Sequence, residues 1–114
     1  MASPGIYNMV VPQATTYQFA CTIKEDSTPW DLTNYTAIMT VRPFAGSTTT
    51  TLLATTENGK ITLGGSAGTI TIDFSAVDTA IKAESYVYDI MLDSGSIITR
   101  ILEGQFIVTA GVTV

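Results

Sequence analysis

The stretch Glu84–Gly104, ESYVYDIMLDSGSIITRILEG, decides the fold class. Tyr86, Tyr88, Ile90 and Leu92 alternate with Val87, Asp89, Met91 and Asp93. Alternation with period two is the mark of a strand that packs one face on a core. Asp93-Ser94-Gly95-Ser96 then reads as a tight turn, because Gly95 supplies the permissive backbone such a turn needs. A second β-rich run starts at Ile97. With Ser94-Gly95 as the turn, Asp93 pairs with Ser96 and Asp89 falls opposite Arg100. Opposite charges across a ladder contribute roughly 0.2–1 kcal/mol, so this register is self-consistent.

The flanking sequence extends the pattern on both sides. Thr16–Lys24 reads as a strand with Tyr17, Phe19, Cys21 and Ile23 facing in. Tyr35–Arg42 reads as another, with Tyr35, Ala37, Met39 and Val41 in the apolar phase. Asp31 sits in the turn between them, where it caps the local backbone as an Asx-turn. Pro43–Thr51 is a loop, and a short strand surrounds Leu52 and Leu53. Asn58-Gly59 marks a turn. Lys60–Leu63 and Gly68–Phe74 form a hairpin whose Ile61, Leu63, Ile70, Ile72 and Phe74 share one core.

Between that hairpin and Tyr86 the alternation breaks. Ser75 is a good N-cap, and Asp78 lies where a capping-box acid would lie. One or two helical turns near Ala76–Lys82 are expected, burying Val77 and Ile81 and carrying the chain from one sheet to the other. Tyr86, just after such a crossing, resembles the tyrosine corner of immunoglobulin-like sandwiches. Gly104 is expected to mark a bulge. Ile97, Ile98, Ile101 and Leu102 do not alternate cleanly with Phe106 and Val108, as expected where both faces are covered or the phase shifts.

Six to eight short strands in 114 residues predict one all-β domain. The expectation is an antiparallel immunoglobulin-like β-sandwich over residues 16–114 with one short helical crossing segment. Residues 1–15 are expected to form an N-terminal edge strand or an arm that packs on a neighbouring subunit.

Composition narrows function by exclusion. Charged residues make up only 13% of the chain, about half the usual share. The formal net charge is −5, and the five basic residues are scattered. Nucleic acid and anionic membrane surfaces both require clustered Lys and Arg, so neither is an expected partner. Pro4 and Pro12, with interspersed polar residues, argue against a membrane span in the uncharged N-terminal stretch, and a secretory signal is not expected without a basic first segment. There is no histidine, which removes the commonest general base and metal ligand. Cys21 is the only cysteine, so no intrachain disulfide or thiolate zinc site can form. Gly64-Gly65 lacks the lysine and helix of a phosphate loop. The carboxylates fall mainly in turns and at strand ends, without calcium-loop spacing. No enzyme activity, cofactor or metal is expected.

Asp31-Leu32-Thr33-Asn34-Tyr35-Thr36-Ala37, continued by Met39-Thr40-Val41-Arg42, Gly59-Lys60-Ile61-Thr62-Leu63, Tyr86-Val87-Tyr88-Asp89-Ile90 and Arg100-Ile101-Leu102-Glu103-Gly104, resembles the small β-sandwich proteins of phage and prophage structural genes. It is similar in pattern to the N-terminal domain of phage baseplate upper proteins, where a DLTGY-like turn precedes a strand. The resemblance spans roughly residues 16–109. Asn34 stands where that pattern has glycine, and Asn tolerates the left-handed conformation the turn requires. The resemblance implies a non-enzymatic virion component of a tailed phage, docked on other virion proteins in the tail or baseplate region. A head decoration protein is the close variant. The alternative from another class is a carbohydrate-binding sandwich using Trp30 as a sugar platform.

Both ends of the chain are apolar and uncharged. The expectation is a homo-oligomer or bound subunit, assembled through its termini or an edge strand. Ile6, Met9, Val10 and Val11 at one end, Val112 and Val114 at the other, and Trp30 are the candidate interface residues.

Overall fold

The structure is a computed structural model, and it describes residues 5–25 and 27–111. Two sheets face each other across one core. The larger comprises β1 Gly5–Ile6, β2 Met9–Pro12, β6 Thr36–Arg42, β7 Leu52–Thr55, β10 Ser85–Asp93 and β11 Ile98–Thr109, in the order β1-β11-β10-β6-β7 with β2 also on β11. The smaller sheet comprises β3 Tyr17–Thr22, β8 Ile61–Leu63 and β9 Thr69–Phe74, in the order β3-β9-β8. A two-stranded ribbon, β4 Lys24–Glu25 with β5 Thr28–Pro29, follows β3. Antiparallel pairing throughout, except where β1 and β2 run parallel to β11, gives the two-sheet layout of an immunoglobulin-like sandwich.

The expected alternation sets the core. Ala37, Met39 and Val41 of β6 face inward, as do Tyr86, Tyr88, Ile90 and Leu92 of β10; all are buried. Opposite them lie Ile61, Ile70, Ile72 and Phe74. Phe74 and Phe106 meet edge to face with ring centroids 5.9 Å apart, joining the two sheets. The hydroxyl of Tyr86 donates to the carbonyl of Lys82 at 2.7 Å, which is the tyrosine corner in its expected place.

The crossing before it is not helical. Residues 76–79 form successive turns, and the one described 3-10 turn lies elsewhere, at Gly65–Ala67. The capping signals are real but close a single turn. The Asp78 amide donates to Ser75 Oγ at 3.2 Å, and the Ser75 amide donates to Asp78 Oδ2 at 2.9 Å. Only Thr79 makes a four-residue bond back, to Ser75. Too few residues separate β9 from β10 to repay helix nucleation. Val77, expected to be buried, is 85% exposed. Thr79 takes its place inside: its hydroxyl donates to the Thr15 carbonyl and accepts from the Thr15 amide.

The hairpin register also differs from expectation. Asp93 pairs with Ile98, so residues 94–97 form a four-residue loop. Met91, not Asp89, lies opposite Arg100, and Asp89 lies opposite Glu103. The ladder shifts between Ile90 and Met91, which makes Ile101 the extra residue of a bulge. Arg100 nonetheless reaches Asp89 diagonally at 3.1 Å, on the face away from Tyr88 and Ile90. Gly104, expected to mark the bulge, is in regular register with Tyr88. It is glycine for another reason: a Cβ there would stand 2.2 Å from the carbonyl oxygen of Tyr7.

Residues 5–12 are built into the sandwich. β1 and β2 follow β11 from Leu102 to Thr109, and Asn8 Oδ1 replaces a missing ladder acceptor for the Gln105 amide. Met9 and Val11 are fully buried in the core.

Candidate functional site

Two observations locate the surface most suited to a function. Among the described residues no three His, Cys, Asp or Glu side chains gather where they could hold a metal. Nor does any buried polar side-chain atom lack a partner, so nothing polar is aimed into an empty interior. What stands out is the outer face of the larger sheet.

That face follows from strand parity. When Ala37, Met39 and Val41 point inward, Ile38, Thr40 and Arg42 must point out. By the same rule Val87, Asp89 and Met91 of β10 face outward. Leu53 of β7, Ile98, Arg100, Glu103, Gln105 and Ile107 of β11, Ile6 of β1 and Val10 of β2 lie on the same side, as the cross-strand pairs require. Among the described residues nine large hydrophobics are exposed, and five of them stand here: Ile6, Val10, Ile38, Leu53 and Ile98. Both arginines of the chain are here, and no lysine is.

In the middle of the face lies an open groove of about 530 Å³, lined by Thr40, Arg42, Val87, Asp89, Arg100 and Glu103 among others. Its charges are two positive and two negative. Arg100 pairs with Asp89, while Arg42 donates to the carbonyls of Ser47 and Thr49 and so holds the loop after β6 beside the groove. An apolar band of Leu53, Ile38, Met91 and Ile98 crosses the sheet toward the hairpin end. Tyrosines, tryptophans, methionines and arginines are the residues enriched at protein interfaces, with lysine depleted.

The residues singled out from sequence separate into four groups. Ile6 at 78% and Val10 at 56% exposure belong to this outer face. Met9 and Val11 alternate with Val10 and lie at 0% exposure inside the chain's own core, so they present no outer surface. Val112 and Val114 lie outside the described residues. Trp30 is half-buried at one end of the sandwich, packed on Tyr35 with ring centroids 6.1 Å apart. Its backbone is held by the Ile23 carbonyl and crowds Gly68, where any Cβ would come within 2.9 Å of Trp30 backbone atoms. It is a packed lid. Ile38, Leu53, Val87, Met91 and Ile98 were missed as candidates. The signal was in the sequence: apolar residues in the outward phase of strands whose inward phase was already apolar.

The remaining polar features are structural. Asp31 Oδ1 accepts from both the amide and the hydroxyl of Thr33, forming the expected Asx-turn and holding its carboxyl below the ordinary value. Asn34 adopts the left-handed conformation, with φ of 68°. Burial pushes the Tyr88 phenol well above its usual pKa, with Tyr17, Tyr7 and Cys21 adding smaller effects, and its hydroxyl donates to the Tyr7 carbonyl at 2.5 Å. Burial likewise raises the Cys21 thiol, the opposite of what a reactive cysteine needs.

No family model matches the chain, and no curated protein does. Among solved structures it is similar to the extracellular domain of the voltage-gated sodium channel β4 subunit, described as a parallel homodimer with a role in cell–cell adhesion. The TM-score is 0.43 and the identity 8%, over 98% of each chain. A likeness that weak adds nothing to the fold already read from strand pairing.

Proposed function

We propose that this chain is a non-enzymatic structural subunit of a tailed-phage virion, which docks on other virion proteins through the outer face of its larger sheet. The observation that carries the docking surface is the gathering of five exposed large hydrophobics and both arginines on that one face. Five strands spaced ~4.8 Å apart, with about seven residues each, offer on the order of 550 Å² of flat face before side-chain relief. A partner in a standard interface contributes about 800 Å², so this face with its flanking loop is of the right order. Its balanced charge suits a protein surface rather than a polyanion. The virion setting rests on the sequence pattern from Asp31 to Gly104, which the Asx-turn at Asp31 and the left-handed Asn34 support as a working turn. The sugar-platform alternative needed an open Trp30, whereas the indole packs against Tyr35.

The test is to purify particles from the producing cells and follow the protein through a density gradient. Co-sedimentation with intact tails supports the reading. Sedimentation with tail-less heads would make it a decoration protein, and a soluble protein that binds a glycan array would overturn the proposal.

A further inference from the structure

We propose that the open edge of β3 pairs with β3 of a second copy, antiparallel and centred on Ala20, to give one continuous six-stranded sheet. This goes beyond the docking face and uses the other sheet.

Strand β3 ends its sheet, and among the described residues its only strand neighbour is β9. The direction of its backbone groups can be worked out. The Gly64 amide donates to the Thr69 carbonyl, and the Asp73 amide to the Lys60 carbonyl, each at 2.8 Å. The odd residues of β9 therefore face β8, and Ile70, Ile72 and Phe74 turn their backbone toward β3. There they meet Cys21, Phe19 and Tyr17. The Ile23 amide, donating to the Gly68 carbonyl at 2.8 Å, continues the same phase. Gln18, Ala20 and Thr22 are left with amide and carbonyl directed away from the sheet.

Natural edges are guarded by a lysine, a proline or a bulge. From Thr15 to Ile23 there is no charge and no proline, and the β3–β9 register is unbroken. The flank is also apolar. Tyr17, Phe19 and Cys21 point toward the core yet are only part-buried, and the Tyr7 ring lies 5.1 Å from Phe19.

A second copy fits this edge by its register. Centring on Ala20 sets Gln18 opposite Thr22 of the other copy and Ala20 opposite Ala20. These three facing pairs exchange about six backbone hydrogen bonds. On the core side Phe19 then faces Cys21 and Tyr17 faces Ile23, large against small in each case. Thr16 faces Lys24, so no like charges oppose each other.

The experiment is sedimentation of the full chain over a concentration series, with two variants. Ala20→Pro removes an amide that β9 does not use, so the fold is retained while the new ladder is broken. Gln18→Lys with Thr22→Lys adds edge charges at exposed positions. The wild type should show a concentration-dependent dimer, with association at least ten-fold weakened in both variants and unchanged circular dichroism. In a Cys21→Ser background, Ala20→Cys should give a disulfide-linked dimer on oxidation. A wild type that stays monomeric, or a dimer that persists undiminished in the folded lysine variant, would overturn the proposal. Outer-face substitutions such as Ile38→Asp should leave this dimer intact, which separates its failure from failure of the docking reading.

Discussion

The two outer faces of this sandwich are built from the same strand chemistry and differ sharply in what they show to solvent. On the smaller sheet the outward residues are Gln18, Ala20 and Thr22 of β3, Thr69, Thr71 and Asp73 of β9, and Thr62 of β8. None is a large hydrophobe, and Gln18 donates to Asp73 at 2.7 Å across the ladder. On the larger sheet the same parity positions carry Ile38, Leu53, Val87, Met91, Ile98, Ile107 and Val10. A chain with few charges must cover much of its surface with uncharged residues, but that does not dictate which. Threonine serves on one face without exposing apolar area, so isoleucine and leucine on the other are not a by-product of composition. A concentrated apolar patch on one side is the physical sign of a surface that is covered in use.

The comparison can be broken first from inside. Phe106→Ala removes the ring that meets Phe74 between the sheets, and should cost about 3–5 kcal/mol in a denaturant titration. If it costs no more than an outer-face change, the partition into inner and outer faces is wrong. Tyr86→Phe removes only the hydroxyl on the Lys82 carbonyl, and should cost about 1–1.5 kcal/mol with the fold preserved.

The Asp78 carboxylate tests the crossing between the two sheets. Burial pulls its pKa upward, but hydrogen bonds from Lys60 and Ser75 and the lysine's charge more than offset this, leaving it below 3.8. A depressed folded pKa gives stability that is present above the unfolded value and lost as pH falls through the folded one. Asp78→Asn should therefore cost about 1 kcal/mol at neutral pH. It should also flatten the fall in stability as pH drops below the ordinary aspartate range of about 4, measured by urea unfolding at a series of pH values. An unchanged acid limb would show that the Lys60 contact at 2.7 Å does not hold the crossing.

Much of this was readable from residues. Inward phases of β6, β9 and β10, the Asx-turn at Asp31, the left-handed Asn34 and the tyrosine corner all depend on local pattern, and local pattern is what a sequence displays. Three features depend on distant parts of the chain. The bulge at Ile101 shifts phase in mid-strand, so the irregular run Ile97–Leu102 shows that something changes without showing where. Gly104 is explained only by the approach of Tyr7. Ser75 and Asp78 are true capping residues, but the short span between β9 and β10 allows a single turn, and Thr79 rather than Val77 fills the interior. The outer face is legible only in part: Val87 and Met91 are apolar in the outward phase of β10, but sheet order is what brings them beside Ile38, Leu53 and Ile98.

The smallest expected effect on stability comes from the outer face itself. Ile38→Thr or Ile98→Thr should change unfolding free energy by no more than about 0.5 kcal/mol, since neither side chain packs in the core. A loss several times larger would mean that the face is already covered within the single chain.

The account's central claim is tested most directly by the amount of protein carried per purified particle when one face or the other receives a charge. Ile38→Asp places it on the larger sheet, and Thr71→Asp on the smaller. With both variants folded, the account predicts that Ile38→Asp lowers occupancy at least ten-fold and that Thr71→Asp leaves it near wild type. Equal occupancy for the two variants, or loss only with Thr71→Asp, would contradict it.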